Sequence, residues 1–321
     1  MTRGSTKQRP YWLHRPSAVA GGLGEMRNIY EGFMSVLDSK IDPTEIGVQR
    51  TTKRLKPEYT DLPHGRIYEG DCLDVMRIIP DHSVDMVLCD LPYGTTQNKW
   101  DSVIDLSRLW KEYRRITKPN AAIVLTSQGI FTAKLMLSNE AWFKYKIVWE
   151  KSKPTNFLNA KKQPLRKHED ICIFYGRPPT YNPQMVEGDP YNKGIRKNQL
   201  SGSYGDFSPH HVQSNGERYP ADIVYFKTAE SESERTVWHP TQKPVELGRY
   251  LVRTFSNPGD VVLDNAFGSG SFLLSAHIEG RRFIGIEKNS DSYQFKKNEI
   301  DYIDVAAHRL KEHGAIVEIA R

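Results

Sequence analysis

Four consecutive residues, Asp90, Leu91, Pro92 and Tyr93, combine groups that could bind and activate an aromatic amine. They directly follow the apolar run 84–89. A base turned out of a duplex could stack on the Tyr93 ring while its exocyclic amino group donates to the Asp90 carboxylate and the Leu91 carbonyl. These acceptors would free the nitrogen lone pair to attack a sulfonium methyl group. An ordinary strand end with a Pro-Tyr turn is the alternative interpretation.

A second group of residues could bind a nucleoside-like cofactor. A predicted strand ends near Asp264 and leads into a turn with Phe267, Gly268 and Gly270, where glycines let the backbone approach a ligand before a helix begins. Glu287 ends the next strand nineteen residues after Gly268, a spacing that suits hydrogen bonds to both ribose hydroxyls. Asp264 would repel a diphosphate but suits an ammonium and a sulfonium group. The pattern favours S-adenosylmethionine over a nicotinamide dinucleotide, with an ordinary strand-turn-helix connection as the alternative.

Short apolar strands alternate with helices from residue 65 onward, which predicts an α/β fold with a mostly parallel sheet. A strand that runs into a Pro/Gly turn places its last residues at the carboxyl edge of that sheet. A long helix is predicted over Asp291–His313. The other predicted elements are strands Arg66–Glu69, Ser83–Cys89, Ala121–Thr126, Tyr145–Trp149, Asp170–Tyr175, Asp260–Leu263 and Arg282–Ile286, and helices Leu106–Ile116, Phe131–Leu137, Pro244–Thr254 and Ser271–Glu279.

The distribution of charge is compatible with a nucleic-acid partner. The 45 Lys and Arg residues exceed the 39 Asp and Glu residues, which gives a net charge of +6. Residues 1–56 hold ten basic and five acidic residues, and residues 151–218 hold eleven and six, so each segment carries +5 and the remainder −4. Two basic regions beside a more acidic body are expected where both contact phosphate. A solvated basic surface without a partner is the alternative.

Composition argues against several other classes of protein. The mean hydropathy is −0.60, and no apolar run reaches the roughly 18 residues of a membrane span. The first residues lack the apolar core of a signal peptide. Three widely spaced cysteines, Cys72, Cys89 and Cys172, provide neither a disulfide framework nor a CxxC metal site, so no metal centre is expected. We therefore expect a cytoplasmic protein.

Four segments together resemble the amino-methylating DNA methyltransferases of the permuted β group, in which the catalytic motif precedes the cofactor motif. The segment 90–96 resembles the family's D-P-P-Y-G-T motif, and 267–270 resembles its F-x-G-x-G-like turn, although glycine here follows phenylalanine directly. The run 239–244 is similar to H-P-T-x-K-P, and 69–73 to the G-D segment. The resemblance covers residues 65–300 and implies a Rossmann-like, S-adenosylmethionine-dependent methyltransferase fold with circularly permuted motif order.

The resemblance also assigns roles to individual residues. Asp90, Leu91, Pro92 and Tyr93 would hold the target base. Asp71 would meet the adenine amino group of the cofactor, and Thr241 and Lys243 would close over its carboxylate. An N-cap role for Asp71 and an ordinary turn role for His239 are alternatives that need no cofactor. The implied cofactor site comprises Asp71, Thr241, Lys243, Asp264, Phe267, Gly268, Gly270 and Glu287.

The implied reaction is methyl transfer from S-adenosylmethionine to adenine N6 in DNA, by base flipping and direct displacement. Asp rather than Ser at position 90 favours adenine over cytosine N4, which is the alternative substrate. A catalytically inactive DNA-binding relative is a further alternative, because Leu91 replaces the family's usual proline. Pro92 still biases Leu91 to an extended backbone with an outward carbonyl. Cys89 precedes the motif on an apolar strand and is interpreted as a core residue.

A proline- and glycine-rich stretch interrupts the α/β pattern over 178–238 and is interpreted as a target-recognition insertion. Basic and aromatic residues from 151 to 238 suit phosphate contact and base-edge reading of double-stranded DNA. The resemblance also allows for a homodimer, a cognate restriction nuclease and association with the nucleoid. The expected division is an N-terminal extension (1–60), a catalytic half (61–177), the insertion (178–238) and a cofactor-binding half (239–321). The expected DNA contacts are Lys161, Lys162, Arg166, Lys167, Arg196 and Lys197.

Overall fold

The structure is a computed structural model that describes residues 49–50, 64–94, 103–196, 208–232, 237–289, 293–295 and 298–321. Sixteen strands occur within these ranges. They are β1 (Gln49–Arg50), β2 (Gly65–Glu69), β3 (Val84–Cys89), β4 (Thr117–Ser127), β5 (Phe143–Thr155), β6 (Arg166–Phe174), β7 (Val186–Glu187), β8 (Tyr191–Arg196), β9 (His210–Ser214), β10 (Glu217–Arg218), β11 (Ile223–Phe226), β12 (Val261–Asp264), β13 (Arg282–Glu287), β14 (Tyr293–Phe295), β15 (Asn298–Ile300) and β16 (Val317–Ala320).

Ten of the described strands form one central sheet in the order β1-β16-β2-β13-β12-β3-β4-β6-β5-β11. The first seven strands in this order, β1-β16-β2-β13-β12-β3-β4, are all parallel to their neighbours. β6 runs antiparallel to both β4 and β5, and β11 is parallel to β5. The prediction of an α/β fold with a mostly parallel sheet is therefore confirmed.

Helices cover both faces of this sheet. Met86 and Leu88 of β3 belong to one buried apolar cluster, and the alternate residues Val87 and Cys89 belong to a second, as expected for a strand buried on both faces. The described helices are α1 (Cys72–Val75), α2 (Leu106–Ile116), α3 (Ile130–Ser138), α4 (Ala229–Glu232), α5 (Val245–Phe255), α6 (Ser271–Ile278) and α7 (Tyr302–Glu312), with 3₁₀ turns at Met76–Ile78 and Phe157–Asn159. The first cluster includes residues of α5, α6 and α7, and the second includes residues of α1, α2 and α3.

The helix α2 illustrates how sequence fixes these elements. Asp105 caps its first turn, because the carboxylate accepts the backbone N–H groups of Ser107 (2.9 Å) and Arg108 (3.2 Å). Its buried residues follow helical spacing and belong to the second apolar cluster, whereas the rest of the helix after Leu106 is polar. The predicted and observed bounds of this helix agree. The buried residues are Leu109, Trp110, Tyr113 and Ile116.

The order of strands brings distant parts of the chain to one edge of the sheet. β12 lies directly between β13 and β3, so the carboxyl ends of these three parallel strands bring Asp264, Glu287 and Asp90 to the same edge. Because β6 is antiparallel, its amino end lies at this same edge beside the carboxyl end of β5. Residues separated by more than 150 positions in sequence are thereby placed side by side.

The prediction of one long helix over Asp291–His313 is wrong. Tyr293–Phe295 and Asn298–Ile300 pair as antiparallel strands, and the helix begins only at Tyr302. Asp301 is the N-cap, with an extended backbone (φ −91°, ψ 109°) and a carboxylate that accepts the N–H of Asp304 at 3.0 Å. A capping aspartate has a non-helical backbone, so the helix begins directly after Asp301 and does not include the residues before it.

The segment 178–238 contains more regular structure than its composition indicates. β7 pairs with β10 and β8 pairs with β9 in small antiparallel sheets, while Ile223–Phe226 extends the central sheet beside β5. At the other end of the sheet, Gln49–Arg50 from the predicted N-terminal extension pairs with β16. No helix in the described part of the chain is long and apolar enough to cross a membrane.

Candidate active site

A cavity of about 980 Å³ is lined by residues of both sequence motifs. Asp90 and Tyr93 lie on one part of its wall, and Asp264, Gly268 and Glu287 lie on another. The adjacency of β3 and β12 explains this, because the two motifs follow neighbouring parallel strands. The cavity has the size of a small-molecule binding site. The structure thus joins the predicted base site to the predicted cofactor site.

Both oxygens of the Asp90 carboxylate are engaged. Its Oδ1 accepts hydrogen bonds from the hydroxyl groups of Tyr93, at 2.7 Å, and of Thr126. Its Oδ2 accepts from the ammonium group of Lys243 at 2.6 Å. Three donors thus converge on this carboxylate, whose oxygens are the type of acceptor that the amino group of a base needs.

The Tyr93 ring is held from several directions. It stacks on Phe131 with 5.1 Å between ring centroids and an interplanar angle of 27°. Its hydroxyl group also approaches the Thr126 hydroxyl at 3.1 Å. Burial, reinforced by the charge of Asp90, raises the pKa of Tyr93 well above its ordinary value, so the phenol stays protonated and donates. The neighbouring Leu91 side chain is buried. A rigid aromatic ring beside an acceptor carboxylate is suited to bind a planar aminated base.

Lys243 lies against Asp90 and lines the cavity, and its predicted role at the cofactor carboxylate stays a prediction. Its ammonium group is 2.6 Å from Asp90 Oδ2 and 3.3 Å from Glu169 Oε2. Burial lowers the pKa of Lys243, but the two carboxylates outweigh that effect and raise it above its ordinary value. A buried ammonium group requires anionic partners, and these two carboxylates provide them. The motif around Lys243 therefore contacts the base site.

The glycine-rich turn is hydrogen-bonded to Glu287, the last residue of β13. The Glu287 carboxylate accepts the backbone N–H of Gly268 at 2.7 Å and that of Lys288 at 3.1 Å. Burial raises the pKa of Glu287. A carboxylate has about four lone-pair positions, so Glu287 keeps capacity for ribose hydroxyl groups. Its predicted role at the ribose is compatible with this geometry.

Gly270 is required by the packing around the turn. Its φ of +75° lies in the left-handed region, and a Cβ atom there would come within 2.7 Å of the Ala306 Cβ on α7. Gly268 also has a positive φ, of +50°. The neighbouring Phe267 is buried and lines the cavity. A side chain at position 270 would therefore clash with α7, and glycines at 268 and 270 allow the left-handed backbone of a turn that lines the cavity.

Asp264 is buried at the end of β12 and lines the same cavity. Burial raises its pKa to about 8, and the charges of Asp90 and Glu287 add to that effect. One oxygen accepts the backbone N–H of Ala266 at 3.3 Å. A cationic ligand placed here would favour the ionised carboxylate. The residues present therefore fit a ligand with a sulfonium and an ammonium group.

Asp71, Thr241 and His239 make local contacts that the sequence left as alternatives. Asp71 Oδ1 accepts the N–H of Leu73 at 3.0 Å and caps α1, while its Oδ2 lies 3.7 Å from the Lys288 ammonium group. The N–H of Thr241 donates to His239 Nδ1 at 3.2 Å. Burial lowers the pKa of His239 to about 4, so the imidazole is neutral and one of its ring nitrogens can accept. All three residues line the cavity, and the predicted cofactor roles of Asp71 and Thr241 stay predictions.

The predicted DNA contacts fall into two places. Lys161, Lys162, Arg166 and Lys167 are exposed on the β5–β6 hairpin, and Arg166 lines the cavity. Lys167 pairs with Glu150 at 2.7 Å. Arg196 is exposed on β8, in a separate sheet. Lys197 lies outside the described residues.

Three residues of the site were not found from the sequence. Thr126 donates to Asp90, Glu169 pairs with Lys243, and Lys151 donates to Glu169 Oε1 at 3.2 Å. Each belongs to a strand and has no motif around it. Lys151 is buried, although lysine is seldom found in that environment. They reach Asp90 because β3 pairs with β4, β4 with β6 and β6 with β5.

Cys89 is a core residue, as expected. It is fully buried, and burial raises the pKa of its thiol well above the ordinary value. A thiol of that kind is a poor nucleophile, because the thiolate is the reactive form.

Comparison with known proteins agrees with this geometry. A family model described as DNA methylase, N6_N4_Mtase, matches residues 84–298. The type II methyltransferase M.HinfI of Haemophilus influenzae is 27% identical over 280 residues, which cover 77% of this chain and 68% of that protein. The DNA adenine methyltransferase YhdJ of Escherichia coli K12 is 29% identical over 267 residues, covering 78% and 87%.

A solved structure shows the same fold. The crystal structure of the M1.HpyAVI–SAM complex superposes with a TM-score of 0.52 at 22% identity, covering 77% of this chain and 98% of the other. The described fold is thus a Rossmann-like methyltransferase fold. The chain belongs to the N6_N4_Mtase family of DNA methylases. The predictions of an amino-methylating DNA methyltransferase and of S-adenosylmethionine as its cofactor are confirmed.

Proposed function

We propose that the protein methylates adenine N6 in double-stranded DNA at a specific site, with the target base turned out of the duplex. The observation that carries this proposal is the shared cavity. It places the Asp90 carboxylate and the Tyr93 ring beside Asp264 and the glycine-rich turn. An acceptor for an exocyclic amine thereby faces a site for a cationic methyl donor.

The residues of the base site would orient and activate the amino group. One N6 hydrogen donates to Asp90 and the other to the carbonyl of Leu91, which Pro92 holds in an extended backbone. Tyr93 provides the surface on which the base stacks. Two acceptors in the plane of the amino group leave its lone pair perpendicular to that plane. The nitrogen can then attack in line, with no covalent bond to the protein.

The residues of the cofactor site would position the donor. When bound, S-adenosylmethionine supplies an electrophilic methyl group on its sulfonium. Asp264 offsets that positive charge, and Glu287 accepts from the ribose hydroxyl groups. Asp71 and Thr241 lie on the same cavity wall and complete the proposed cofactor site. Gly268, Gly270 and Phe267 shape the turn that carries the backbone to the ligand.

The exposed basic hairpin supports an approach by DNA. Lys161, Lys162 and Arg166 follow β5, whose last residues line the cavity, so a phosphate backbone bound there would lie beside the base site. The segment 178–238, with Arg196, is proposed to read the bases of the target sequence. The division of the chain at residues 60, 177 and 238 is proposed on the same grounds.

The choice of adenine rests on Asp90 and on the Escherichia coli relative, which is named an adenine methyltransferase. Incubation with labelled S-adenosylmethionine and DNA, followed by digestion to nucleosides, tests it. Label in N6-methyladenine is expected, and label in N4-methylcytosine would overturn the choice. Loss of transfer in Asp90→Ala separates an enzyme from an inactive DNA-binding relative. Equal inactivity of the wild type would contradict the proposed reaction.

Assembly and cellular setting follow from the family resemblance. A homodimer, a cognate restriction nuclease and association with the nucleoid in the cytoplasm stay predictions. Light scattering on the purified protein at several concentrations measures the first. A mass of one protomer throughout would contradict the homodimer.

A further inference from the structure

Four alternating charges form a row that leads from the base site into the protein. The order is Asp90, Lys243, Glu169 and Lys151, with separations of 2.6, 3.3 and 3.2 Å between partner atoms. The side chains of Lys243 and Lys151 are 8% and 4% exposed. The two ammonium groups balance the two carboxylates. The two lysines depend on these carboxylates, because a buried ammonium group requires anionic partners.

Lys243 stands where the proposed target base must go. Its ammonium group binds Asp90 Oδ2 at 2.6 Å, and it lies over the Tyr93 ring at 5.5 Å from the centroid. Asp90 Oδ1 is already bonded to the hydroxyl groups of Tyr93 and Thr126. A base stacked on Tyr93 with its amino group at Asp90 therefore competes with Lys243 for both.

Glu169 can receive the displaced ammonium group. Its Oε1 accepts from Lys151, but its Oε2 is buried without a hydrogen-bond partner. That oxygen is already 3.3 Å from the Lys243 Nζ, so only a small movement would close a hydrogen bond. A buried carboxylate oxygen in this state gains a full partner when Lys243 turns toward it.

We propose that Lys243, which contacts both carboxylates in the free protein, exchanges its hydrogen bond with Asp90 for one with Glu169 when the target base is bound. Glu169 is then a positioning residue for the base site. This inference rests on the proposed function, because the amino group of the base is what replaces Lys243 at Asp90.

The exchange provides specificity for bases that carry an amino group. When Lys243 leaves, Asp90 needs another donor, and the exocyclic amino group of adenine supplies one. A carbonyl oxygen in the same position, as in thymine, would face Asp90 with acceptor against acceptor. Such a base cannot replace Lys243 without leaving Asp90 Oδ2 without the donor that Lys243 provided.

The exchange predicts that a second substitution rescues the first. In Glu169→Gln the lysine has no second carboxylate, so it stays on Asp90 and obstructs the base. In Glu169→Gln/Lys243→Met the obstructing group is gone as well. A purely structural role for Glu169 would make the double variant worse than the single one. Glu318→Gln is a matched control, since it removes one carboxylate from the Arg66 ion pair at β16, away from the cavity.

The test uses a duplex that contains the methylated site, once that site is mapped by sequencing. 2-Aminopurine placed beside the target adenine brightens when the adenine leaves the stack, and S-adenosylhomocysteine replaces the cofactor so that no transfer occurs. We expect Glu169→Gln to weaken formation of the flipped complex by about tenfold or more. The double variant should recover most of that loss. A duplex with purine at the target, which lacks the amino group, should show little difference among the proteins.

Two results would overturn the exchange. One is a flipped complex of wild-type strength in Glu169→Gln, and the other is a double variant as weak as the single one. Both are judged against a wild-type protein that methylates adenine in the same DNA. Absence of transfer by the wild type contradicts the proposed function itself.

Discussion

The Nζ of Lys243 lies 2.6 Å from the Oδ2 of Asp90, although 153 positions separate the two residues in the chain. This contact joins the segment before the cofactor strand to the end of the catalytic strand. It also means that the carboxylate proposed to bind the base is an ion-paired group in the free protein. A ligand that uses this carboxylate must therefore replace a partner that is already bound to it.

Replacing Asp90 by asparagine should abolish most methyl transfer while leaving the fold intact. The amide keeps the shape but loses the charge that binds the amino group and Lys243. We expect kcat to fall by about 10²-fold or more, with little change in cofactor affinity. Asp85→Asn is the matched control, because Asp85 lies on β3, the strand that Asp90 directly follows, and pairs with Lys118, also at 2.6 Å. Near-normal turnover by Asp90→Asn would argue against the proposed base site.

Cofactor affinity should rise with pH because of Asp264. Its pKa of about 8 means that the carboxyl group is largely protonated at neutral pH, and a cationic ligand must favour the ionised form. Binding therefore releases a proton below about pH 8, and the affinity gains up to about tenfold per pH unit there before it levels off. Calorimetric titration with S-adenosylmethionine between about pH 6 and pH 9 measures this.

The comparison protein for that experiment is Asp264→Asn. Its affinity should be lower at high pH, and the part of the pH dependence due to Asp264 should vanish. The difference between the two proteins cancels the ionisation of the cofactor itself. Parallel pH profiles for both proteins would exclude Asp264 as the group that titrates. In the absence of cofactor, the raised pKa of Asp264 makes the folded state less stable as pH rises. The free energy of unfolding should fall as pH rises from about 4 toward about 8, and less so in Asp264→Asn.

Alanine at position 270 should destabilise the protein more than alanine at position 280. Both glycines have nearly the same φ, +75° and +74°, so the backbone strain is alike. Only at Gly270 would the new Cβ meet Ala306, at 2.7 Å, whereas nothing lies within 4 Å at Gly280. We expect the excess loss of unfolding free energy to be about 1–3 kcal/mol, measured by urea denaturation. Equal losses of unfolding free energy would mean that Ala306 on α7 does not exclude a side chain at position 270.

Reversing the charges of Lys161 and Lys162 to glutamate should weaken DNA binding and reduce its salt dependence. If both lysines contact phosphate, the slope of log K against log salt should become shallower by about 1.8. Lys111→Glu/Lys134→Glu is the control, because both residues are exposed on helices outside the cavity lining. An equal change in slope for the control would show a general effect of net charge and remove the hairpin lysines from the interface.

Much of the fold was predictable because its signals are local. The cap at Asp105 and the apolar stripe of α2 mark the bounds of that helix, and continuous apolar runs mark the buried parallel strands. The error at Asp291–His313 has a local cause too. The apolar periodicity continues across Asp301, but an aspartate at that position can act as an N-cap, so the helix begins after it. The strand Ile223–Phe226 was missed because the composition around it is typical of a loop.

The sequence by itself determined the chemistry available to this protein. Asp90–Tyr93, the glycine-rich turn and Glu287 are recognisable because each function needs particular residue types at short, fixed spacings. Tertiary structure decided which of them meet. Glu169, Lys151 and Thr126 are ordinary residues in their own strands, and Lys243 belongs to a motif whose partner lies far away in the chain. They become one site because β6 inserts antiparallel between β4 and β5, and because β3 pairs with β12. Strand pairing of this kind depends on contacts between distant segments, which no local pattern of residues encodes.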